Sequence, residues 1–150
     1  MPSFKTFIPV LAAALLLAGT AIADELAKYE VVDYGIPKSL TGTAGDAAAG
    51  EKAFVNRKLG NCLACHQVSE LSAHPFHGEI GPSLDGVAER YEAPQLRLQV
   101  VNSKAINPDT IMPAFYRTDG FHRVLDKFKD KPILTAQQVE DIVAYLMTLK

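Results

Sequence analysis

Two cysteines are the only ones in the 150-residue chain, and both fall in one five-residue run, Cys62-Leu63-Ala64-Cys65-His66. C-x-x-C-H is the attachment pattern of c-type haem. The spacing has a chemical reason. Two thiols add across the two vinyl groups of a haem, and two intervening residues match the separation of those vinyls at the ring edge. The next residue, His66, is then held beneath the iron, where imidazole serves as the proximal ligand. A thioredoxin-like dithiol also uses C-x-x-C, but within a βαβ pattern that this sequence lacks. A zinc site would need a second ligand pair, for which only His74 and His77 are near.

The sixth iron ligand decides what such a haem can do. Met1 aside, the sequence offers Met112 and Met147. Met147 lies in the apolar pattern of the last helix, a common place for methionine as core filler. Met112 lies between Pro108 and Pro113, in a loop able to present a thioether opposite His66, and is the preferred candidate. His74, His77 and His122 stay open as alternatives. His/Met ligation fills both axial positions and raises the potential relative to two histidines, which points to electron transfer over chemistry at the iron.

The first 23 residues read as a cleaved signal peptide: Lys5, an apolar run from Ile8 to Ala18, and small residues ending Ala21-Ile22-Ala23. The run is shorter than the roughly 20 residues a membrane span needs, and Pro9 interrupts its start. Attachment of haem c takes place outside the cytoplasm, so the leader and the motif support each other and imply a periplasmic protein with no membrane segment after cleavage. Without Lys5 the chain carries 14 basic and 17 acidic residues. It has no basic cluster, so nucleic acid is not an expected partner.

Residues 24–45 are polar and turn-rich and read as an N-terminal arm, lying on the domain or on a partner. The domain itself, 46–150, reads as all-α. Asp46 is an N-cap for a helix running to Leu59, with Gly60 at the left-handed position beyond it. Leu96, Leu98, Val100, Val101 and Ala105 form the apolar side of a second helix with Pro94 in its first turn. Phe121, Val124, Leu125 and Phe128 fall at helical spacing. The last helix has a Thr135/Gln138 capping box, a Leu134/Val139 staple, and a stripe from Val139 through Ile142, Val143 and Leu146 to Leu149.

These residues resemble class I cytochromes c: a first helix with Gly50 and Phe54, C-x-x-C-H, Gly81-Pro82, a methionine loop, and a last helix with Tyr145-Leu146. More specifically, the chain is similar to the SoxX family, the small mono-haem subunits of SoxAX cytochromes. Ile36-Pro37-Lys38-Ser39-Leu40-Thr41-Gly42, Phe76-His77-Gly78-Glu79-Ile80-Gly81-Pro82, Met112-Pro113-Ala114-Phe115-Tyr116 and Ile133-Leu134-Thr135 carry that likeness. The resemblance implies a class I cytochrome c fold with one covalent haem c on Cys62 and Cys65, axial ligands His66 and Met112, and Pro82 packed so as to orient His66. It further implies a heterodimer with the SoxA cytochrome, which bears the catalytic cysteine and with which this chain forms an L-cysteine S-thiosulfotransferase. That enzyme joins thiosulfate to a cysteine of the SoxYZ carrier and passes electrons through this haem to another cytochrome. A free carrier to a terminal oxidase is the competing expectation, and a peroxidase acting at its own haem is a third. Leu63, Ala64, Pro113, Ala114 and Phe115 are the expected partner contacts near the haem edge, the alternative being that Phe115 is core and the rest ordinary exposed surface.

Overall fold

The computed structural model of the chain describes residues 26–150, and the expected signal peptide lies outside them. Among the described residues there are four α-helices and four single 3-10 turns. There is no strand, only an isolated antiparallel bridge between Val32 and Gly35. The architecture is all-α, as expected.

Helix α1 (Ala47–Val55) starts where Asp46 accepts hydrogen bonds from the Ala48 and Ala49 N–H groups at 2.8 and 3.1 Å. It ends one turn earlier than the sequence predicts. Asn56 turns extended, its side chain accepts from the Lys58 N–H at 2.9 Å, and its carbonyl accepts from Leu59 and Asn61. Such a local side-chain bond competes with helix propagation. Gly60 is not left-handed; Asn61 is, with φ 49°. Gly60 answers a steric demand instead, since a Cβ there would lie 2.9 Å from Cys62 Sγ.

Helix α2 (Val87–Arg90) is a single turn leading into α3 (Ala93–Asn102), which buries Leu96, Leu98, Val100 and Val101. At the start of α3, the Gln95 side chain accepts from the Glu92 N–H at 2.9 Å. Helix α4 (Ala136–Leu146) has the predicted cap: Thr135 Oγ1 accepts from the Gln138 N–H at 3.2 Å, and Gln138 Oε1 accepts from the Thr135 N–H at 2.9 Å. Its stripe, Val139, Ile142, Val143 and Leu146, is buried.

Helices α1 and α4 cross at Gly50, where a Cβ would fall onto the Asp141 carbonyl and 2.9 Å from Tyr145 Cβ. Phe54 meets the Tyr145 ring edge-on there, with centroids 5.4 Å apart. The helical spacing at Phe121–Phe128 is not realised. Arg123 takes φ 57°, which breaks the chain out of helix, and only the turn Asp126–Phe128 forms, leaving Phe121 and Leu125 exposed.

The arm lies across the domain. Ile36 is 1% exposed, and its N–H donates to the Pro94 carbonyl at 2.9 Å. Arg97 Nη1 donates to the Ile36 carbonyl at 2.7 Å, while the rest of the guanidinium pairs with Glu140. Glu140 Oε1 also accepts from the Leu40 N–H at 2.8 Å. One buried ion pair thereby fastens the arm to α3 and α4 together. Nearer the N-terminus, the Ala27 N–H donates to the Tyr116 hydroxyl at 2.8 Å.

Candidate haem site

The motif forms a 3-10 turn, Cys62–Ala64, in which the Cys62 carbonyl accepts from the Cys65 and His66 N–H groups at 3.1 and 2.9 Å. Both thiols therefore belong to one rigid turn, and they carry no disulfide. Burial pushes the Cys62 thiol up to about 12, with the neighbouring Cys65 adding a smaller push. A redox dithiol needs the opposite shift, toward a stable thiolate. Among the described residues, no group of three or more His, Cys, Asp or Glu side chains is placed to hold a metal ion on its own.

A second segment runs back over the motif. The Gly78 N–H donates to the Leu63 carbonyl at 2.7 Å and the Gly81 N–H to the Cys65 carbonyl at 2.8 Å. This brings the Pro82 carbonyl 2.8 Å from His66 Nδ1. A carbonyl can only accept, so Nδ1 carries the proton and Nε2 is left with its lone pair, the form a metal ligand needs. The expectation that Pro82 orients His66 by packing is thus refined: the contact is a hydrogen bond from the imidazole to the proline backbone. Sequence reasoning did not single out Gly81 for a role of its own. A Cβ on it would lie 2.6 Å from His66 Nδ1 and 2.9 Å from Nε2, so only glycine lets the ring occupy this position. The adjacency Gly81-Pro82 was the available signal.

Met112 is half-buried in a loop pinned at several points. Ser103 Oγ donates to the Met112 carbonyl at 2.8 Å, and the Met112 N–H donates to Thr110 Oγ1 at 3.2 Å. Lys104 Nζ bonds the Thr110 carbonyl. Beyond the loop, the Phe115 and Tyr116 N–H groups donate to the Val100 and Val101 carbonyls, each at 3.2 Å. The C-terminal part of α3 and the turn after it therefore hold the methionine loop in register. Met147 is the C-cap of α4 and packs against the core. His77 has both ring nitrogens engaged, with Leu71 O at 3.0 Å and the Val68 N–H at 3.4 Å. His74 and His122 are exposed.

Two thiols on one turn, an imidazole with its Nε2 lone pair oriented, and a thioether on an anchored loop are a donor set that suits haem c. Of the expected partner contacts, Leu63, Ala114 and Phe115 prove buried in the core, while Ala64 and Pro113 are exposed. The correction has a simple cause: the Phe115 backbone is bonded on both sides, to Val100 and to Leu134, which draws its ring inward.

Comparison with known families places this geometry. The family model described as Cytochrome c matches residues 47–150. The chain belongs to the cytochrome c family. Its cofactor is haem c and its role is electron transfer. Among solved structures, one described as the crystal structure of SoxXA from P. pantotrophus matches with a TM-score of 0.76 at 44% sequence identity, over 81% of this chain and 94% of that chain. This cytochrome is therefore of the SoxX type. No curated protein matches it. Because 81% of 150 residues is more than the stretch from 47 to 150 can hold, the structural match runs past the cytochrome c module into the arm.

Proposed function

We propose that this SoxX-type cytochrome is the electron-relay subunit of a SoxXA-like heterodimer that couples thiosulfate oxidatively to a cysteine of a SoxYZ-type carrier protein. The observation that carries this reading is the likeness to SoxXA, which extends beyond the haem-binding module.

In this reading Cys62 and Cys65 hold one haem c covalently. His66, its Nδ1 proton fixed on the Pro82 carbonyl, presents Nε2 as the proximal ligand, and Met112 presents its thioether from the loop anchored by Ser103. Haem bound so supplies one reversible electron at its iron. The residues that would hold the group, His66 on the Pro82 carbonyl and Met112 on its anchored loop, are themselves fixed, so that little reorganisation would accompany each transfer. The only two cysteines are those of the motif, so the catalytic thiol of the proposed thiosulfotransferase comes from the SoxA-type partner. Joining a thiol to thiosulfate releases two electrons, and this subunit passes them on singly to a further cytochrome. Export through residues 1–23 puts the subunit in the periplasm, where haem attachment and the partner are found. No helix among the described residues is long and apolar enough to cross a membrane.

The test is a reconstitution. The chain, produced in a periplasm with haem c maturation, should gain the mass of one haem and co-purify with the large cytochrome subunit. Thiosulfate should reduce its haem only when that subunit and the carrier protein are both present. Reduction of the isolated chain by thiosulfate at the rate of the complete system would refute the relay role.

A further inference from the structure

The arm contains a conformation that no contact among the described residues rewards. Val32 and Gly35 exchange both backbone hydrogen bonds, each at 2.9 Å, closing a two-residue turn over Asp33 and Tyr34. Both central residues are left-handed, with φ 47° and 59°. That is the turn for which Asn-Gly is favoured, because a Cβ at the second position is strained. Here the second position holds a tyrosine, and the residue is 73% exposed. A bulky residue in a strained backbone well, with its side chain in water, stabilises nothing among the described residues. Strain of this kind points outside the chain.

Three further apolar side chains of the same segment, Tyr29, Val31 and Val32, are also exposed. On the Tyr29 side of the segment, a cleft of about 340 Å³ opens between Tyr29, Pro37 and Lys38. The segment is firmly seated. Ile36 is buried immediately after the turn, and a Cβ on Gly35 would lie 3.0 Å from Pro94 Cβ, so the backbone rests directly on the start of α3. Exposed aromatic side chains carried on a firmly seated backbone are the form that binding hot spots take.

We propose that the turn at 32–35, with Tyr34 as its anchor, docks the large haem-bearing subunit. This rests on the reading above and names the surface by which that partner is gripped. The occupant follows from where the two likenesses end. The cytochrome c family model begins at residue 47, whereas the match to a chain of SoxXA continues into the arm. A likeness to a chain of a complex that runs past the stretch matched by the family model answers to what a subunit has and a free carrier lacks, a permanent partner.

The decisive variant is Tyr34→Gly in the haem-loaded chain, read by thermal unfolding and by titration against the large subunit. Glycine relieves the left-handed backbone, so the unfolding midpoint should hold or rise, while the Kd for the large subunit should rise at least tenfold. A purely structural tyrosine cannot give that pair of opposite results. A lowered midpoint together with weaker binding would show that the ring supports the fold, and would overturn the proposal. A Kd within twofold of wild type would overturn it while leaving the relay reading intact, whereas failure of the wild-type chain to bind the large subunit would remove both. A wild-type homodimer in sedimentation that Tyr34→Gly dissolves would reassign the surface to a second copy and refute the partner named here.

Discussion

Removing the Arg97 guanidinium should be among the most damaging single changes away from the haem ligands. Arg97 Nε donates to Glu140 Oε1 at 2.9 Å and to Oε2 at 3.1 Å, and Nη2 donates to Oε2 at 2.9 Å. The residues are 8% and 4% exposed. In Arg97→Ala the carboxylate stays buried, with the Leu40 N–H as its remaining hydrogen bond, and the Ile36 carbonyl loses its donor. Breaking one side of a buried pair costs about 3–5 kcal/mol, a large part of the 5–15 kcal/mol that holds a typical domain folded. For a domain of this size that corresponds to a fall in Tm of roughly 10–20 °C, measurable by circular dichroism on the haem-loaded chain. The double variant Arg97→Met/Glu140→Leu removes both charges, so it should recover most of the loss. It still leaves the arm without its polar fastenings, so limited proteolysis should open 36–45 faster than in wild type. A double variant as unstable as Arg97→Ala, or a single variant losing less than about 1 kcal/mol, would show that the buried pair does not hold the arm as argued.

Two further outcomes concern the haem ligands. Met112→Ala should abolish the thioether-to-iron charge-transfer band of the oxidised protein and lower the potential by on the order of 100 mV, well inside the ~0.8 V that axial ligands span; Met147→Ala should keep the band, and the reverse pattern would reassign the ligand. Gly81→Ala should push the imidazole off the Pro82 carbonyl, because the new Cβ begins 2.6 Å from Nδ1. Losing a hydrogen bond worth about 1 kcal/mol that strengthens His66 as a donor should raise the potential by about 40 mV in an electrochemical titration.

What the sequence made legible was local. The last helix could be read to its cap because Thr135, Gln138, Leu134 and Val139 act within five residues of one another. Gly50 could be read as a close approach because a small residue one turn before Phe54 has few other uses. The failures arose where a second local preference competed, or where the partner was distant. Asn56 stops α1 with its own side chain, and a left-handed Arg123 undoes an apolar spacing that looked helical. Arg97 and Glu140 are 43 positions apart. The trace of their pairing in the sequence was a charged residue set between Leu96 and Leu98 on a helix otherwise devoted to the core. Gly81 is different again, since its adjacency to Pro82 was visible but its contact with an imidazole 15 residues earlier was not.

Helix α3 connects the two places on which the functional reading depends. Its first turn carries Pro94, on which Gly35 rests and to whose carbonyl Ile36 is bonded. Its last turn runs into Ser103, whose hydroxyl holds the Met112 carbonyl. Ten helical residues at 1.5 Å each separate those ends by about 15 Å. The turn at 32–35 and the Met112 loop are therefore distinct spots on one strut, and Arg97 locks that strut to α4 from within. A partner seated on the arm, as proposed above, would therefore gain its affinity without pressing on the Met112 loop.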